Sequence, residues 1–223
     1  MSEAISYFCS WLDADKHNKD NKPYTVNSLY FDSPDLRFYE EKIIGDANRD
    51  KIRLRTYSEQ IGEEPLFLEI KNKKFDKIFK DRSKVQIDSN FSDVGVFSNI
   101  GNFINEDNKA EMEKAFIYDK IYHLKPIVEV AYKRIAYWAS SVDFKVSIDF
   151  DIKAAQGQNF WKTDKNGYEK VLSDNFILEL KYRDYVHTKF QSFVLEHDLQ
   201  RVPFSKYTES VDVIVPYVKW LQI

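Results

Sequence analysis

Basic residues recur at alternate positions in one short stretch of the sequence, NRDKIRLRTY, which spans residues 48–57. Lys51, Arg53 and Arg55 are separated there by single apolar residues. Successive side chains of a β-strand point to opposite faces, so this spacing predicts a strand with one cationic and one apolar face. Two like charges 5 to 6 Å apart repel by roughly 3 kcal/mol at an effective dielectric near 20. Such cations, if they face inward, require a polyanion.

The same alternation of charged and apolar residues recurs along the chain. The sets are Glu69, Lys71 and Lys73; Lys80, Arg82 and Lys84; Arg134; Lys145 and Asp149; and Glu179, Lys181 and Arg183. For any single strand, a solvated charged face is the simplest interpretation. The recurrence, and the apolar faces that must also be buried, favour an inward cationic surface that binds phosphates. Arginine offers a bidentate fork to phosphate oxygens and lysine a point charge.

Glutamates beside these cations suggest a divalent metal ion. A carboxylate in a phosphate site repels the ligand unless a cation lies between them. Mg²⁺ and Mn²⁺ prefer oxygen and typically take one or two protein carboxylates together with substrate phosphates. We therefore expect Glu179, together with Glu69 or Asp149, to bind Mn²⁺ or Mg²⁺. A salt bridge to a neighbouring lysine is the alternative for these glutamates.

Composition restricts the class of protein. The chain has 223 residues, of which 43% are hydrophobic and 16% aromatic, enough for a substantial core. Its net charge of -3 and pI near 5.9 argue against a protein whose whole surface binds nucleic acid or an acidic membrane, so any anion site must be local. A single cysteine, the absence of a signal peptide and short apolar runs predict a cytoplasmic protein without a transmembrane segment.

The elements that carry these charges are mainly strands. Strand-like stretches are YTVNSLYFDS, DKIRLRTYS, PLFLEIKNK, KIFKDRSKVQID, IVEVAYKRIAYWAS, FKVSIDFDIKAA and NFILELKYRD. Helices are predicted near the N-terminus (5–14), at 105–124 and at 187–200. Residues 35–43 fit a helical turn or a strand, and the stretch after 205 fits a helix or a strand. Charges on alternate positions of antiparallel strands fit a sandwich with the charges in water or a closed barrel with the charges inside.

Several stretches, taken in order, closely resemble one family. They are YTVNSLYFDSPDLRFYEEKIIGDANRDKIRLRTY, PLFLEIKNK, FKVSIDFDI, ILELKY and PFSKYTESV, which lie between about residues 24 and 215. Together they resemble the VTC domain, the polyphosphate polymerase domain of the vacuolar transporter chaperone complex, which has many bacterial relatives. That domain belongs to the triphosphate tunnel metalloenzymes, or CYTH-like superfamily. The resemblance implies an α+β fold in which a closed antiparallel β-barrel forms a tunnel. It also implies a single domain over residues 1–223, with a helical insertion at about 91–124.

The resemblance also implies roles for individual residues. It assigns catalytic contacts with phosphates to Lys51, Arg53, Arg55, Lys71, Arg134 and Lys181, and further substrate contacts to Lys80, Arg82, Lys145, Ser205 and Lys206. Glu179 matches the metal-binding glutamate of the family, and Glu69 is a second candidate ligand. Family members usually open with a strand that carries a Glu-x-Lys motif, which is missing before residue 24. We therefore expect an incomplete barrel or a shortened N-terminus. Lys145 stands where the family usually has arginine, which keeps the charge but loses the fork.

These features together predict metal-dependent phosphoryl transfer on a triphosphate. ATP and inorganic polyphosphate or tripolyphosphate are the expected ligands, and polyphosphate polymerase-like transfer is the leading hypothesis. Hydrolysis of tripolyphosphate or of a nucleoside triphosphate would use the same site with water as the attacking group. A non-catalytic module that binds polyphosphate or a phosphorylated ligand is the third possibility. Binding of single-stranded nucleic acid is disfavoured by the acidic pI and the interspersed glutamates. The sequence identifies no membrane-bound partner.

Overall fold

Strands and helices alternate in blocks along the chain in the computed structural model, which describes residues 1–18, 22–60, 62–85, 109–139, 143–162, 166–173, 175–183 and 185–215. The helices in these ranges are α1 (Ser2–Cys9), α2 (Arg37–Ile43), α3 (Lys109–Tyr122), α4 (Thr188–Glu196) and α5 (Lys206–Ile214). The strands are β1 (Asp13–Ala14), β2 (Tyr24–Asp32), β3 (Asn48–Thr56), β4 (Leu66–Lys74), β5 (Lys77–Val85), β6 (Lys125–Ala139), β7 (Phe144–Gln156), β8 (Glu169–Lys170) and β9 (Ile177–Tyr182). The predicted α+β class with a large antiparallel sheet is confirmed.

The chain divides into two compact units. Unit 1 comprises Met1–Thr25, Tyr132–Ile152 and Leu172–Ser205. Unit 2 comprises Val26–Ala131, Lys153–Val171 and Lys206–Ile223. Strands β6 and β7 each contribute residues to both units. The single domain expected over residues 1–223 stays a prediction.

In unit 2, strands β3, β4 and β5 form an antiparallel meander with β2 on the other side of β3. Because side chains alternate along each strand, the meander separates its residues into two faces. The apolar face carries Ile52, Leu68 and Ile70, which are buried with Met112 and Ala115 of α3 in one core. The helix predicted at 105–124 is therefore found at Lys109–Tyr122 and covers the sheet. Residues 91–108 of the predicted insertion lie outside the described residues.

Two segments of unit 2 whose sequences fit either a helix or a strand are helical: they are α2 and α5. The fully buried carboxylate of Asp32 accepts hydrogen bonds at 2.9 Å from the backbone amides of Phe38 and Tyr39, which satisfies free N–H groups of the first turn of α2. The Tyr207 hydroxyl in α5 donates to the same carboxylate. Burial raises the pKa of Asp32, and these donors only partly oppose that effect. One aspartate thus organises the ends of β2, α2 and α5.

In unit 1, β7 pairs with β9, and the short β1 pairs with β6. The core of the unit includes Val146 and Ile148 of β7 and is completed by Phe8 of α1 and Phe190 and Phe193 of α4. The helices predicted near residues 5–14 and 187–200 are thus found at Ser2–Cys9 and Thr188–Glu196. Their aromatic side chains bury the face of β7 that carries Val146 and Ile148.

The N-terminal segment of unit 1 is attached to the edge of β6. Asp13 lies opposite Trp138, and Ala14 lies opposite Tyr137. The Asn18 side chain then bonds both the carbonyl and the amide of Ala136. Residues 13–18 therefore supply backbone and side-chain partners to this edge.

The hydrogen bonds recorded for the described residues do not close the sheet into a barrel. No described helix is both long and apolar enough to cross a membrane.

Candidate functional site

A grid of basic side chains covers the polar face of β3, β4 and β5 in unit 2. In its central row Arg53 lies opposite Glu69, which lies opposite Arg82. The rows on either side carry Lys51, Lys71 and Lys80, and Arg55, Phe67 and Lys84. Directly opposed residues of antiparallel strands have Cβ atoms about 5 Å apart, so these charges are close neighbours. We call the seven basic residues of these rows the cationic face: Lys51, Arg53, Arg55, Lys71, Lys80, Arg82 and Lys84.

Glu69 lies at the centre of this face and is buried. Its Oε2 atom lies 2.6 Å from Arg53 Nη2 and 3.9 Å from Arg55 Nη1. Its Oε1 atom lies 2.8 Å from Lys80 Nζ and 3.4 Å from Arg82 Nε. We call these five residues the Glu69 cluster. One carboxylate thus faces four cations.

The charge excess of the Glu69 cluster shifts the pKa values of its members. Burial would raise the pKa of Glu69, but Arg53, Arg55 and Lys80 outweigh burial and hold it well below its usual range. Burial lowers the pKa of Lys80, and its contact with Glu69 only partly opposes this. The site therefore keeps Glu69 ionised while it disfavours the charged form of a neighbouring lysine. An additional anion would relieve that condition.

Two side chains of β2 orient the arginines of β3. The Tyr30 hydroxyl accepts a hydrogen bond of 2.7 Å from Arg53 Nη1, and Ser28 Oγ accepts one of 3.0 Å from Arg55 Nε. Burial raises the pKa of Tyr30, but Arg53, Arg55 and Lys51 outweigh it and lower that pKa to about 8. Arg53 is therefore fixed from two sides, by a phenol and by a carboxylate.

Aromatic rings hold Arg82 in the same cluster. Its guanidinium carbon lies 3.9 Å from the centre of the Phe67 ring and 5.5 Å from that of Tyr57. Its Nη2 also donates a hydrogen bond of 3.2 Å to the Tyr57 hydroxyl. The pKa of Tyr57 is lowered because Arg55 and Arg82 outweigh burial. Stacking of this kind fixes the plane of a guanidinium.

The row of lysines adds positive charge next to the Glu69 cluster. Lys51 lies opposite Lys71, and Lys71 lies opposite Lys80. Burial, together with Lys71, Arg53 and Lys42, lowers the pKa of Lys51 to about 8, although Tyr30 opposes the shift. Like-charged groups in direct opposition destabilise a sheet. The phosphate contacts expected on β3, β4 and β5 are thus brought onto one face.

Lys206 is the first residue of α5 and lies next to Tyr207 in the sequence. The ring of Tyr207 stacks on that of Tyr30, with 5.1 Å between centroids, and its hydroxyl bonds Asp32. The start of α5 is therefore linked to the residue that orients Arg53. Ser205 is buried and is the last residue of unit 1.

Unit 1 contains a second group of charges around Arg134. The Nε and Nη2 atoms of Arg134 bond the two oxygens of the fully buried Asp149 at 2.5 and 2.7 Å. Arg134 Nη2 also lies 3.1 Å from Glu179 Oε2, and Lys181 Nζ lies 3.3 Å from Glu179 Oε1. We call these four residues the Arg134 cluster. It contains two cations and two carboxylates.

Lys145 has a different partner in unit 1. Its ammonium forms an ion pair with Asp15, in the segment that follows β1. Burial would raise the pKa of Asp15, but Lys145 and the His17 amide outweigh burial and lower it. The lysine that replaces the expected arginine is therefore neutralised from within the chain.

The carboxylates differ in their suitability as metal ligands. The side chain of Glu179 is 36% exposed and has one cation at each oxygen, whereas that of Glu69 is 2% exposed and has two cations at each oxygen. Mn²⁺ and Mg²⁺ need accessible carboxylate oxygens and complete their coordination with phosphates and water. Exposure alone favours Glu179 over Glu69 as a ligand, and the metal-binding roles of both residues stay predictions. Among the described residues, no three His, Cys, Asp or Glu side chains form a group with metal-binding geometry.

Sequence reasoning missed the residues that orient the cations. Ser28 and Tyr30 stand at alternate positions of β2, and this spacing is a usable signal once β2 is paired with β3. Tyr57 and Phe67 have a similar role at Arg82. Asp15 gives no such signal, because its contact with Lys145 spans 130 residues of sequence.

Comparisons with known proteins identify a family for this chain and solved structures that it resembles. A family model described as the VTC domain matches residues 1–215. Among solved structures, a "putative adenylate cyclase" from Bacillus halodurans has a TM-score of 0.52 at 11% identity, over 92% of this chain and 89% of that one. A conserved hypothetical protein from Pyrococcus furiosus has a TM-score of 0.42 at 11% identity, over 93% of both chains. No curated protein sequence matches. With nearly the whole sequence matched by the family model, the chain belongs to the VTC domain family.

Proposed function

We propose that the chain binds a triphosphate or polyphosphate on its cationic face and catalyses metal-dependent phosphoryl transfer, as an ATP-dependent polyphosphate polymerase. One observation carries this proposal: seven basic residues surround the single buried carboxylate of Glu69 on the face of β3, β4 and β5. Membership of the VTC domain family supports a triphosphate or polyphosphate ligand.

The charge excess on this face requires an anion with several charges. Glu69 neutralises one of its four cation contacts, and Lys51, Lys71 and Lys84 add further positive charge in neighbouring rows. A chain of phosphates carries several negative charges and can extend along these rows, whereas a single carboxylate or sulfate would contact few of them. Phosphate binding would restore the pKa of Lys51 and Lys80 towards ordinary values. The closed tunnel that the family resemblance implies is part of this proposal.

In the proposed mechanism the protein positions and neutralises. Arg53 and Arg55 are held by Tyr30, Ser28 and Glu69, so their forks need little reorganisation to bind phosphate oxygens. The attacking group is the terminal phosphate of a polyphosphate chain, and in-line transfer to it asks little covalent chemistry of the side chains.

Glu179 is the residue that would hold the metal ion. Its carboxylate is accessible, and Lys181 and Arg134 fix its orientation. A bound Mn²⁺ or Mg²⁺ would neutralise charge on phosphate oxygens. Without it, the negative charge of Glu179 would oppose the substrate. We expect this activity in the cytoplasm, where thiols such as that of Cys9 stay reduced.

The experiment is to incubate the protein with ATP and Mn²⁺ and to separate long phosphate chains from free phosphate. Growth of chains is the expected result, and release of free phosphate alone would identify a hydrolase instead. Tripolyphosphate should also raise the melting temperature. If tripolyphosphate produces no thermal shift and no binding heat, the cationic face does not bind phosphates and the proposal fails.

One observation favours the second candidate, a non-catalytic module that binds polyphosphate. The fork of Arg134 is already occupied by Asp149, and Lys145 is paired with Asp15. Phosphates would have to compete with these carboxylates for two of the residues expected to act on substrate. A melting temperature raised by tripolyphosphate, with neither product formed from ATP, would identify the binding module.

A further inference from the structure

Large apolar side chains are exposed together at one end of unit 2. Ile43 is the last residue of α2, and Ile44 follows it. Phe75 lies in the turn between β4 and β5, and Ile78 is the second residue of β5. Ile44 is 74% exposed and Phe75 is 71% exposed. The two segments are adjacent, because the amide of Phe75 donates a hydrogen bond of 2.9 Å to the carbonyl of Ala47. Phe79, the next residue of β5, is half-exposed on the opposite face of that strand from Ile78.

Phe75 has a backbone conformation that is unusual for an aromatic residue. Its φ is +55°, in the left-handed region that glycine and asparagine adopt at little cost. Phe75 therefore has a strained backbone conformation although its ring is not buried. An unfavourable residue in an exposed turn indicates a function outside the fold of the unit.

Lysines surround these apolar side chains. Lys74 and Lys77 lie opposite each other at the base of the turn, Lys73 precedes them on β4, and Lys42 lies beside Ile43. Asp46 and Asp76 are the acidic residues in the same two loops. We call Lys42, Ile43, Ile44, Lys73, Lys74, Phe75, Lys77, Ile78 and Phe79 the hairpin tip. It carries four positive charges around five apolar side chains.

We propose that the hairpin tip docks on an anionic lipid surface. Isoleucine and phenylalanine can enter the boundary between headgroups and acyl chains, while the aliphatic stems of lysine follow them and the ammonium groups contact lipid phosphates. Three of the five apolar residues are isoleucines, which do not stack on bases, so the composition does not suit single-stranded nucleic acid. The tip uses residues other than the Glu69 cluster, so this inference goes beyond the proposed enzymatic function and is tested separately.

The first measurement is sedimentation of the whole chain with vesicles, with tripolyphosphate present to occupy the cationic face. Vesicles of phosphatidylcholine are compared with vesicles that also contain one quarter phosphatidylserine. We expect binding to the anionic vesicles to be tighter by at least about tenfold and to weaken as salt is raised. Equal binding to both kinds of vesicle, or no binding to either, would overturn the proposal.

Paired variants then test the site itself. Phe75→Asn suits the left-handed turn, so a variant with Ile44→Ser and Phe75→Asn should keep its melting temperature while its vesicle affinity falls by about tenfold or more. The matched control is Leu195→Ser with Val202→Ser, which removes two exposed apolar residues of unit 1 and should change affinity less than about twofold. Equal losses in both variants would locate binding elsewhere. Displacement of the protein from vesicles by a single-stranded oligonucleotide would overturn the proposal in favour of nucleic acid.

Lys74→Gln with Lys77→Gln tests the charge complementarity of the tip. This variant should lose most of the preference for phosphatidylserine and keep its response to tripolyphosphate, because neither lysine belongs to the cationic face. A preference for anionic vesicles that persists unchanged would contradict the assigned role of the tip lysines.

Discussion

The Glu69 cluster of unit 2 and the Arg134 cluster of unit 1 use the same residue types for different purposes. Glu69 faces four cations, so its cluster has a large positive excess. In the other cluster Asp149 occupies the fork of Arg134, and Glu179 lies between Arg134 and Lys181. The numbers of positive and negative groups there are equal. Several cations around one carboxylate favour a site for an anion, whereas equal numbers of positive and negative groups can be structural.

Exposure separates the two glutamates in the same way. Glu69 is enclosed by guanidinium and ammonium groups, while Glu179 keeps an accessible surface. A buried carboxylate among cations organises those cations, and an accessible carboxylate beside them can bind a metal ion. Substitution of Glu69 should therefore affect mainly stability, and substitution of Glu179 mainly the effect of a metal ion on binding.

Replacing the buried carboxylate by Glu69→Gln should lower the free energy of unfolding by about 3 kcal/mol, because it leaves the buried Arg55 and the partly buried Arg53 without their counter-ion. Tripolyphosphate should restore much of this loss, so its thermal shift should exceed that of the wild type. Denaturant unfolding with and without tripolyphosphate measures both. Glu196→Gln, at an exposed position of α4, is the control.

The pH dependence gives an independent check of the same variant. The pKa of Glu69 is lowered in the folded state, so its stabilising contribution is complete above the unfolded value of about 4.3 and is lost as pH falls through the lower folded value. The stability difference between Glu69→Gln and wild type should therefore persist from pH 5 to 7 and narrow only below about pH 4. A difference that disappears near neutral pH would contradict this account.

Replacing both arginines in Arg53→Ala with Arg55→Ala should weaken tripolyphosphate binding by at least about 100-fold, since each charge-assisted contact contributes roughly 1.5 to 3 kcal/mol and the two together at least about 3 kcal/mol. Titration calorimetry measures the affinity. The double variant Arg37→Ala with Arg201→Ala removes the same two charges outside both clusters and should bind nearly as wild type does. Unchanged affinity in the first double variant would remove the basis of the proposed function.

The sequence predicted the strands better than their contacts. KIRLR and LFLEIK alternate strictly, and the apolar residues between the charges must be buried, so β3 and β4 were accessible to reasoning. The position of Glu69 between Arg53 and Arg82 depends on the register of β3, β4 and β5, which side-chain alternation does not determine. The register supplies Glu69 with cations, which agrees with the salt-bridge alternative, and its metal-binding role stays a prediction.

The sequence does not distinguish a helix from a strand at α2 and α5, for a related reason. Helix α2 has seven residues, and its start is stabilised by Asp32, a side chain of the preceding strand. Helices this short depend on capping and packing more than on propensity. The stretch PFSKYTESV likewise gave no clear helical period, and α5 is attached through the hydroxyls of Tyr207 and Tyr39. Local patterns predicted the sheet, while tertiary hydrogen bonds determined these ends.

Glu179→Gln should separate metal binding from phosphate binding. We expect Mn²⁺ to increase tripolyphosphate affinity of the wild type by about tenfold and to have little effect on this variant, because an accessible carboxylate ligand is lost. In the absence of metal, the variant should bind tripolyphosphate at least as well as wild type does, since a negative charge is removed. Calorimetric titrations with and without Mn²⁺ measure both effects. Retention of the Mn²⁺ effect would exclude Glu179 as a required ligand.

The phenol of Tyr30 provides a spectroscopic reporter of the charge excess. Its pKa of about 8 follows from the cations that outweigh burial, so ultraviolet absorbance should show a phenolate transition near that pH. Bound tripolyphosphate should raise the midpoint, because negative charge near Arg53 disfavours the phenolate. Tyr30→Phe should lack this transition. A midpoint near 10 in the free protein would mean that the excess charge is screened.

The smallest expected effect concerns Asp15, the internal partner of Lys145. Lys145 is 38% exposed, so Asp15→Asn should cost less than about 1 kcal/mol of stability. Because the pKa of Asp15 is lowered, this contribution is present above the unfolded value and disappears in wild type as pH falls below about 4.

The same substitution tests whether Asp15 competes with the ligand. Lys145 loses its intramolecular anion in Asp15→Asn, so tripolyphosphate affinity should rise by no more than about fivefold if Lys145 contacts phosphate. Asp143→Asn removes an exposed carboxylate that is paired with Arg183 and should leave the affinity unchanged. Equal gains in both variants would reflect net charge alone. A gain confined to Asp15→Asn would mean that Lys145 of unit 1 can contact phosphate once its internal partner is removed. Unit 1 and the Glu69 cluster would then differ only in how far their cations are neutralised within the chain.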